Sequence, residues 1–218
     1  MEAKANMAYY TGTRPDVYAL VPKTCRRVLE IGCGAGHFRD NFDTEVEYWG
    51  VEPVSSAAKE AMGRLTQVLV GTLDDECTQI PDHYFDLVVC NDVIEHIFDT
   101  NKAMETIKNK MAAGGRLVGS LPNVRSVWVL LELIFARDWK YRDSGVLDNT
   151  HVRFFTFKSA RRMLTENGFE IEILKGRAFG SIWWCKILLV LIAPVLCVLG
   201  WDIARTQMLF RGHIRSSC

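Results

Sequence analysis

The stretch VLEIGCGAGHF, from Val28 to Phe38, constrains this chain more than any other part of it. A short apolar run enters three glycines at every second position, Gly32, Gly34 and Gly36. A buried strand that ends in a glycine turn and restarts as a helix opens a βαβ unit. The glycines permit the tight turn and let a ligand lie against bare backbone at the helix N-terminus. The helix is expected to begin at His37. Dinucleotide and adenosyl cofactors both use such a turn, but the pyrophosphate of NAD is usually met by G-x-G-x-x-G, and the spacing here is G-x-G-x-G. Glu30, at the strand's entry to the loop, would repel a pyrophosphate and suit an ammonium group. Glu52 closes the next strand about 20 residues after Gly32, where an acid accepts both hydroxyls of an adenosine ribose.

Short apolar runs alternate with helical patterns over the rest of the chain. RRVLEIG, VEYWGVE, QVLVG, FDLVVCN, GRLVGSLP and FEIEILKG read as strands. SSAAKEAMGRL, NKAMETIKNKM and KSARRMLTENGF carry apolar positions at three and four with polar caps and glycine stops, and read as helices. This order predicts an α/β fold with a doubly wound, mainly parallel sheet in a single domain, since 218 residues hold one substantial core.

The stretch NDVIEHIF, Asn91 to Phe98, suggests the chemistry. A helix beginning at Asp92 would put Asp92, Glu95 and His96 on one face at the carboxyl end of the fourth strand, beside the cofactor. Two carboxylates and an imidazole suit Mg²⁺ or Mn²⁺. The same residues also make a helix-capping pair with an adjacent histidine. A sugar hydroxyl titrates near the pKa of water, about 15.7, so methylating it requires a base or a metal. His151 and Arg153 lie further on in NTHVRFFTF, just before a helix.

VLEIGCGAGHF, GVEP and FDLVVCNDVIEHI resemble the successive motifs of class I S-adenosylmethionine-dependent methyltransferases. The resemblance runs from about Tyr9 to Phe169 and implies a seven-stranded, Rossmann-like sheet. It also implies that Gly32, Gly34 and Gly36 hold the methionine part, Glu52 the ribose, Leu73 and Asp74 the adenine edge, and Asn91 the methionine amino group. Tyr10 and Arg14, in a lid spanning residues 1–24, would close over the cofactor. Thr72 stands where relatives commonly carry an acid.

The D/E-x-x-E-H pattern with a lone histidine ahead of phenylalanine resembles two metal-dependent groups, one methylating the terminal ribose of small RNAs and the other catechol oxygens in ubiquinone synthesis. That resemblance makes Asp92, Glu95, His96 and His151 metal ligands, with Asp92 in place of the usual glutamate. Without a metal, His151 or His96 would serve as general base. KYRDSGVLDNTHVRFFTFKSARRMLTENGFE is similar to a bacterial-type subgroup associated with glycan pathways. The expected function is O-methylation of a sugar, glycan or lipid-linked hydroxyl. A quinone or catechol O-methyltransferase is the first alternative. A non-catalytic, membrane-associated scaffold is the second, and the intact glycines and Glu52 argue against it.

Residues 124–153 are expected to form a cap helix and acceptor loop. Residues 181–202 are expected to be an apolar helical insertion before the last strand, with only Lys186 charged between Ser181 and Trp201. A single bilayer crossing there would separate FEIEILKG from RTQMLFRGHI, which are expected to pair antiparallel. The segment is therefore read as a cap that docks peripherally on a membrane or in a homodimer. Lysine plus arginine equal aspartate plus glutamate at 26 each, which argues against a nucleic-acid partner. Seven scattered cysteines without a C-x-x-C pair and an N-terminus without an apolar leader predict a cytoplasmic protein, peripheral at most to the inner face of a membrane.

Overall fold

The computed structural model describes residues 12–43, 45–177 and 200–215. Seven strands form one sheet: β1 (Arg27–Ile31), β2 (Glu47–Glu52), β3 (Gln67–Val70), β4 (Phe85–Asn91), β5 (Met111–Pro122), β6 (Phe169–Gly176) and β7 (Gln207–Ile214). Their order is β3-β2-β1-β4-β5-β7-β6. The first five strands run parallel, and β7 enters antiparallel between β5 and β6. The pairing expected of the last two segments is present, with β7 an interior strand and β6 the edge.

The central strands read as unbroken apolar runs because both sheet faces are covered. On one face Leu29, Val88, Met104, Ile107 and Phe210 belong to one buried cluster. On the other, Val28, Phe38, Tyr48, Leu87 and Val118 belong to a second. The helices are α1 (Pro15–Tyr18), α2 (Ser55–Ala61), α3 (Leu73–Glu76), α4 (Thr100–Lys110), α5 (Val127–Leu131) and α6 (Phe157–Glu166). A π-helical turn, Glu132–Ala136, continues α5.

Two expectations are corrected here. The glycine loop leads into a five-residue 3-10 stretch, His37–Asn41, and not into an α-helix. Phe38 and Phe42 turn inward there to stack edge-on against Tyr18 and each other. No helix begins at Asp92. Its φ of 51° is left-handed, and only a 3-10 turn, Ile94–His96, follows.

Residues 181–199 of the expected apolar insertion lie outside the described residues. Among the described ones, no helix is long and apolar enough to cross a membrane. Ile203 and Ala204 pack near Leu130 of α5, so the chain rejoins the fold beside the expected cap.

Candidate active site

The parallel strands deliver Gly32, Glu52, Asn91 and Ser120 to one edge of the sheet. This is the edge where open α/β sheets bind ligands. Gly32, Gly34 and Gly36 have φ of 70°, 53° and 81°. A Cβ on Gly32 would sit 2.3 Å from Val93 Cγ2, and one on Gly36 would press on Ala61 and Leu65 at 3.3 Å. The outer two glycines are therefore demanded by backbone conformation and by internal packing alike.

Glu52 steadies the loop. Its carboxylate accepts from the backbone N–H of Gly34 and of Val54, both at 2.9 Å. Burial raises its pKa. Glu30 lies deeper, 2% exposed, and accepts from the Tyr48 hydroxyl at 2.8 Å and from Asn91 Nδ2 at 3.3 Å. Burial pushes its pKa up to about 8. Asn91 Oδ1 is buried and has no donor among the described residues. An orphaned carbonyl oxygen beside a buried acid fits the ammonium group of a methionine moiety.

Arg14 reaches over this region to Asp92 and also pairs with Asp16 at 3.2 Å. Tyr10 lies outside the described residues. Leu73 is 5% exposed with its side chain in the core cluster, and Asp74 is exposed and paired with Lys102 at 3.3 Å. Thr72 caps α3 in a reciprocal box with Asp75, which gives the departure from the family's acid a local structural reason.

The polar cluster differs from the expected one by a residue. Glu95, His96 and His151 bring ligand atoms within 4.8 Å of one another. Glu95 is 0% exposed, and among the described residues neither carboxyl oxygen has a hydrogen-bond partner. Burial, then the charge of Asp92, raise its pKa well above the ordinary carboxyl value. His151 Nε2 stands 3.9 Å from Glu95 Oε1. Burial and the neighbouring His96 lower the His151 pKa, favouring the neutral ring.

The backbone explains this convergence. The amides of Val152 and Arg153 both donate to the Glu95 carbonyl at 3.0 Å, clipping the loop that carries His151 onto the turn that carries Glu95. His151 Nδ1 is 3.1 Å from the Val146 carbonyl, and His96 Nδ1 is 3.2 Å from that of Thr150. A carbonyl only accepts, so the tautomer that fits each of these contacts carries its proton on Nδ1 and presents Nε2 as the acceptor.

Asp92 stands apart from this trio. Its carboxylate accepts from Gln207 at 2.6 and 2.7 Å, from Ser120 at 2.8 Å and from Arg14. The left-handed turn at Asp92 replaces the helix that would have aligned it with Glu95. Gln207, Ser120, Asp148 and Val146 were not singled out by their sequence context, because they reach the site through strand register and a loop whose path no short motif encodes.

A cavity of about 200 Å³ has Asp92, Glu95, Asp148, His151 and Gln207 in its wall, among others. An adjoining groove of about 620 Å³ is lined by Trp128, Val129, Leu131, Phe135 and Leu147, with Glu132 and Arg142, which pair at 2.6 Å. Gly145, Val146 and Thr206 border both spaces.

Residues 5–173 match the model of a methyltransferase domain. A ubiquinone biosynthesis O-methyltransferase of Aeromonas salmonicida is 26% identical over 158 residues, covering 69% of this chain and 66% of that protein. A mitochondrial counterpart from Schizosaccharomyces pombe is 24% identical over 165 residues, covering 72% and 60%. The chain thus spans somewhat under two thirds of these relatives' length.

Among solved structures, a SAM-dependent methyltransferase from Archaeoglobus fulgidus superposes with a TM-score of 0.67 at 20% identity, covering 95% of this chain and 94% of that one. A second, from Mesorhizobium loti, gives 0.63 at 17% identity, covering 91% and 95%. With the family model matched over most of its length and the fold shared throughout, this chain belongs to the class I S-adenosylmethionine-dependent methyltransferases.

Proposed function

We propose that the protein transfers the methyl group of S-adenosylmethionine to a hydroxyl oxygen of a glycan or lipid-linked small molecule, at a divalent cation held by Glu95, His96 and His151. Glu95 carries this reading. A fully buried carboxyl with no donor on either oxygen among the described residues costs about 1–3 kcal/mol, and two imidazoles beside it offer the remaining ligands of a cation site. One carboxylate and two imidazoles favour Mn²⁺ over Mg²⁺, since Asp92 is committed elsewhere.

The bound cofactor supplies an electrophilic methyl on sulfur, and a bound cation supplies the means to lower an acceptor hydroxyl's pKa. The chain's own residues hold and orient. Glu30 and Asn91 favour the cofactor's ammonium group, Glu52 its ribose, and the turn Ile94–His96 sets the acceptor oxygen beside them. A cavity with Asp92, Glu95, Asp148 and His151 in its wall, adjoining a groove walled by Trp128, Leu131, Phe135 and Leu147, suits an acceptor with a reactive polar head and an apolar body.

The relatives' printed role in ubiquinone biosynthesis favours a second reading, a quinone or catechol acceptor, which the same head-and-body shape accommodates. Trp128 and Phe135, which line the groove, are exposed, as is Ile134 next to Phe135 in the chain, and these side chains support peripheral contact with a membrane, with a second copy of the chain as the other occupant to be tested.

The test is methyl transfer from labelled S-adenosylmethionine by metal-stripped protein to lipid-linked sugars and to polyprenylated catechols. Turnover restored by Mn²⁺ is expected, and the preferred acceptor separates the two readings. Full turnover after chelation would remove the cation and leave His151, held neutral, as the base. Methylation confined to amines would overturn the reading altogether.

A further inference from the structure

Asp92 stands between the two halves of the site. Asn91, before it, reaches back to Glu30 beneath the glycine loop. Val93, after it, packs so closely on Gly32 that no side chain fits there. Glu95 follows three residues after Asp92. The left-handed backbone of Asp92, φ 51°, is one a non-glycine residue keeps only where its surroundings hold it.

Three elements far apart in the chain do so. Gln207 Nε2 donates to both carboxylate oxygens, at 2.6 and 2.7 Å, brought there by the pairing of Gln207 with Pro122 across β5 and β7. Ser120, fully buried on β5, donates its hydroxyl at 2.8 Å, and its carbonyl accepts the Asp92 amide at 3.3 Å. Arg14, at the head of α1 and itself left-handed at φ 49°, closes the set with an ion pair. A carboxylate satisfies all three donors because both oxygens only accept, whereas an amide would turn an N–H₂ toward one of them.

We infer that Asp92 is a positioning residue: clamped by Gln207, Ser120 and Arg14, it holds Val93 against the cofactor loop and Glu95 toward His151, joining the N-terminal segment, the cofactor cleft and the acceptor cavity into one unit. Arg14 thereby acts on the cofactor cleft through Asp92. The inference needs neither the acceptor nor the cation of the proposed reaction.

The experiment is a double-mutant cycle on S-adenosylhomocysteine binding by calorimetry, using Arg14→Ala, Asp92→Asn and the pair, with hydrogen exchange at residues 93–97. Each single change is expected to weaken binding about tenfold, and the pair no further than either alone. Arg14→Lys should recover part of the loss, and the amides of Val93 and Glu95 should exchange faster in every variant that lacks the clamp. Losses that multiply to about a hundredfold would show that Arg14 and Asp92 act separately, which overturns the inference. Native affinity in Asp92→Asn overturns it equally. If Asp92→Asn is too unstable to titrate, Gln207→Met with Arg14→Ala completes the same cycle through the other donor.

Discussion

Gly32 answers to its backbone and to its neighbour at once. Its φ of 70° disfavours any side chain, and Val93 occupies the place a Cβ would take. Gly32→Ala should therefore lower stability by about 2 kcal/mol or more in denaturant unfolding, together with loss of S-adenosylhomocysteine binding. A stable variant that still binds would contradict this packing.

Glu30 makes a different kind of prediction. Burial lifts its pKa from an ordinary 4.5 to about 8, so the folded protein keeps a proton there that the unfolded chain gives up. A folded pKa above the unfolded one means stability that is full below about pH 4.5 and is lost as pH rises through about 8. A cofactor ammonium beside Glu30 would drive that proton off. Binding of S-adenosylhomocysteine at pH 7 should release up to one proton, measured by calorimetry in buffers of differing ionisation enthalpy, and release should vanish well above pH 8. Release that does not change with pH would exclude Glu30 as its source.

The helices α4 and α6 sit where their caps and apolar spacing put them, and α6 is closed by Thr156, whose hydroxyl accepts from the Ser159 amide at 3.2 Å. Thr156→Ala should cost about 1 kcal/mol in thermal or denaturant unfolding and leave cofactor affinity unchanged. That outcome would separate stability from site effects. The strands were legible for a related reason. A buried parallel strand is an apolar run bounded by polar turns, and Val28–Ile31 or Leu87–Cys90 carry that signal without help from the rest of the chain.

The turn at Asp92 was not legible. Nothing local in DVIEH announces a left-handed aspartate, and the donor that fixes it, Gln207, is 115 positions away. The 3-10 stretch after the glycine loop was hidden likewise, because His37–Asn41 is shaped by aromatic packing of Phe38 and Phe42 against Tyr18. Glu95, His96 and His151 were visible as residue types. Their convergence depended on the Val152 and Arg153 amides meeting one carbonyl, which no spacing encodes.

The molecule as a whole is a sheet whose carboxyl edge is divided between two tasks. β1 and β2 present glycines and acids on the cofactor side, while the turn after β4, the end of β5 and the start of β7 border the cavity where the proposal places the acceptor. Inserting β7 beside β5 completes that edge, since it brings Thr206 and Gln207 to the cavity wall. α5 and its π-helical extension then add a trough walled by Trp128, Leu131 and Phe135 that adjoins this cavity. Cofactor, cation and acceptor head would meet at Asn91, Glu95 and His151, so the cation site is the point on which the proposed chemistry turns.

Mn²⁺ titration followed by electron paramagnetic resonance, with S-adenosylhomocysteine present, addresses it directly in the native protein, in His151→Ala and in Asp92→Asn. One tight site in the native protein, abolished in His151→Ala and weakened without being lost in Asp92→Asn, is expected if Glu95, His96 and His151 hold the ion and Asp92 only positions Glu95. A tight site that survives His151→Ala, or no site in the native protein, would contradict a cation held by these three residues.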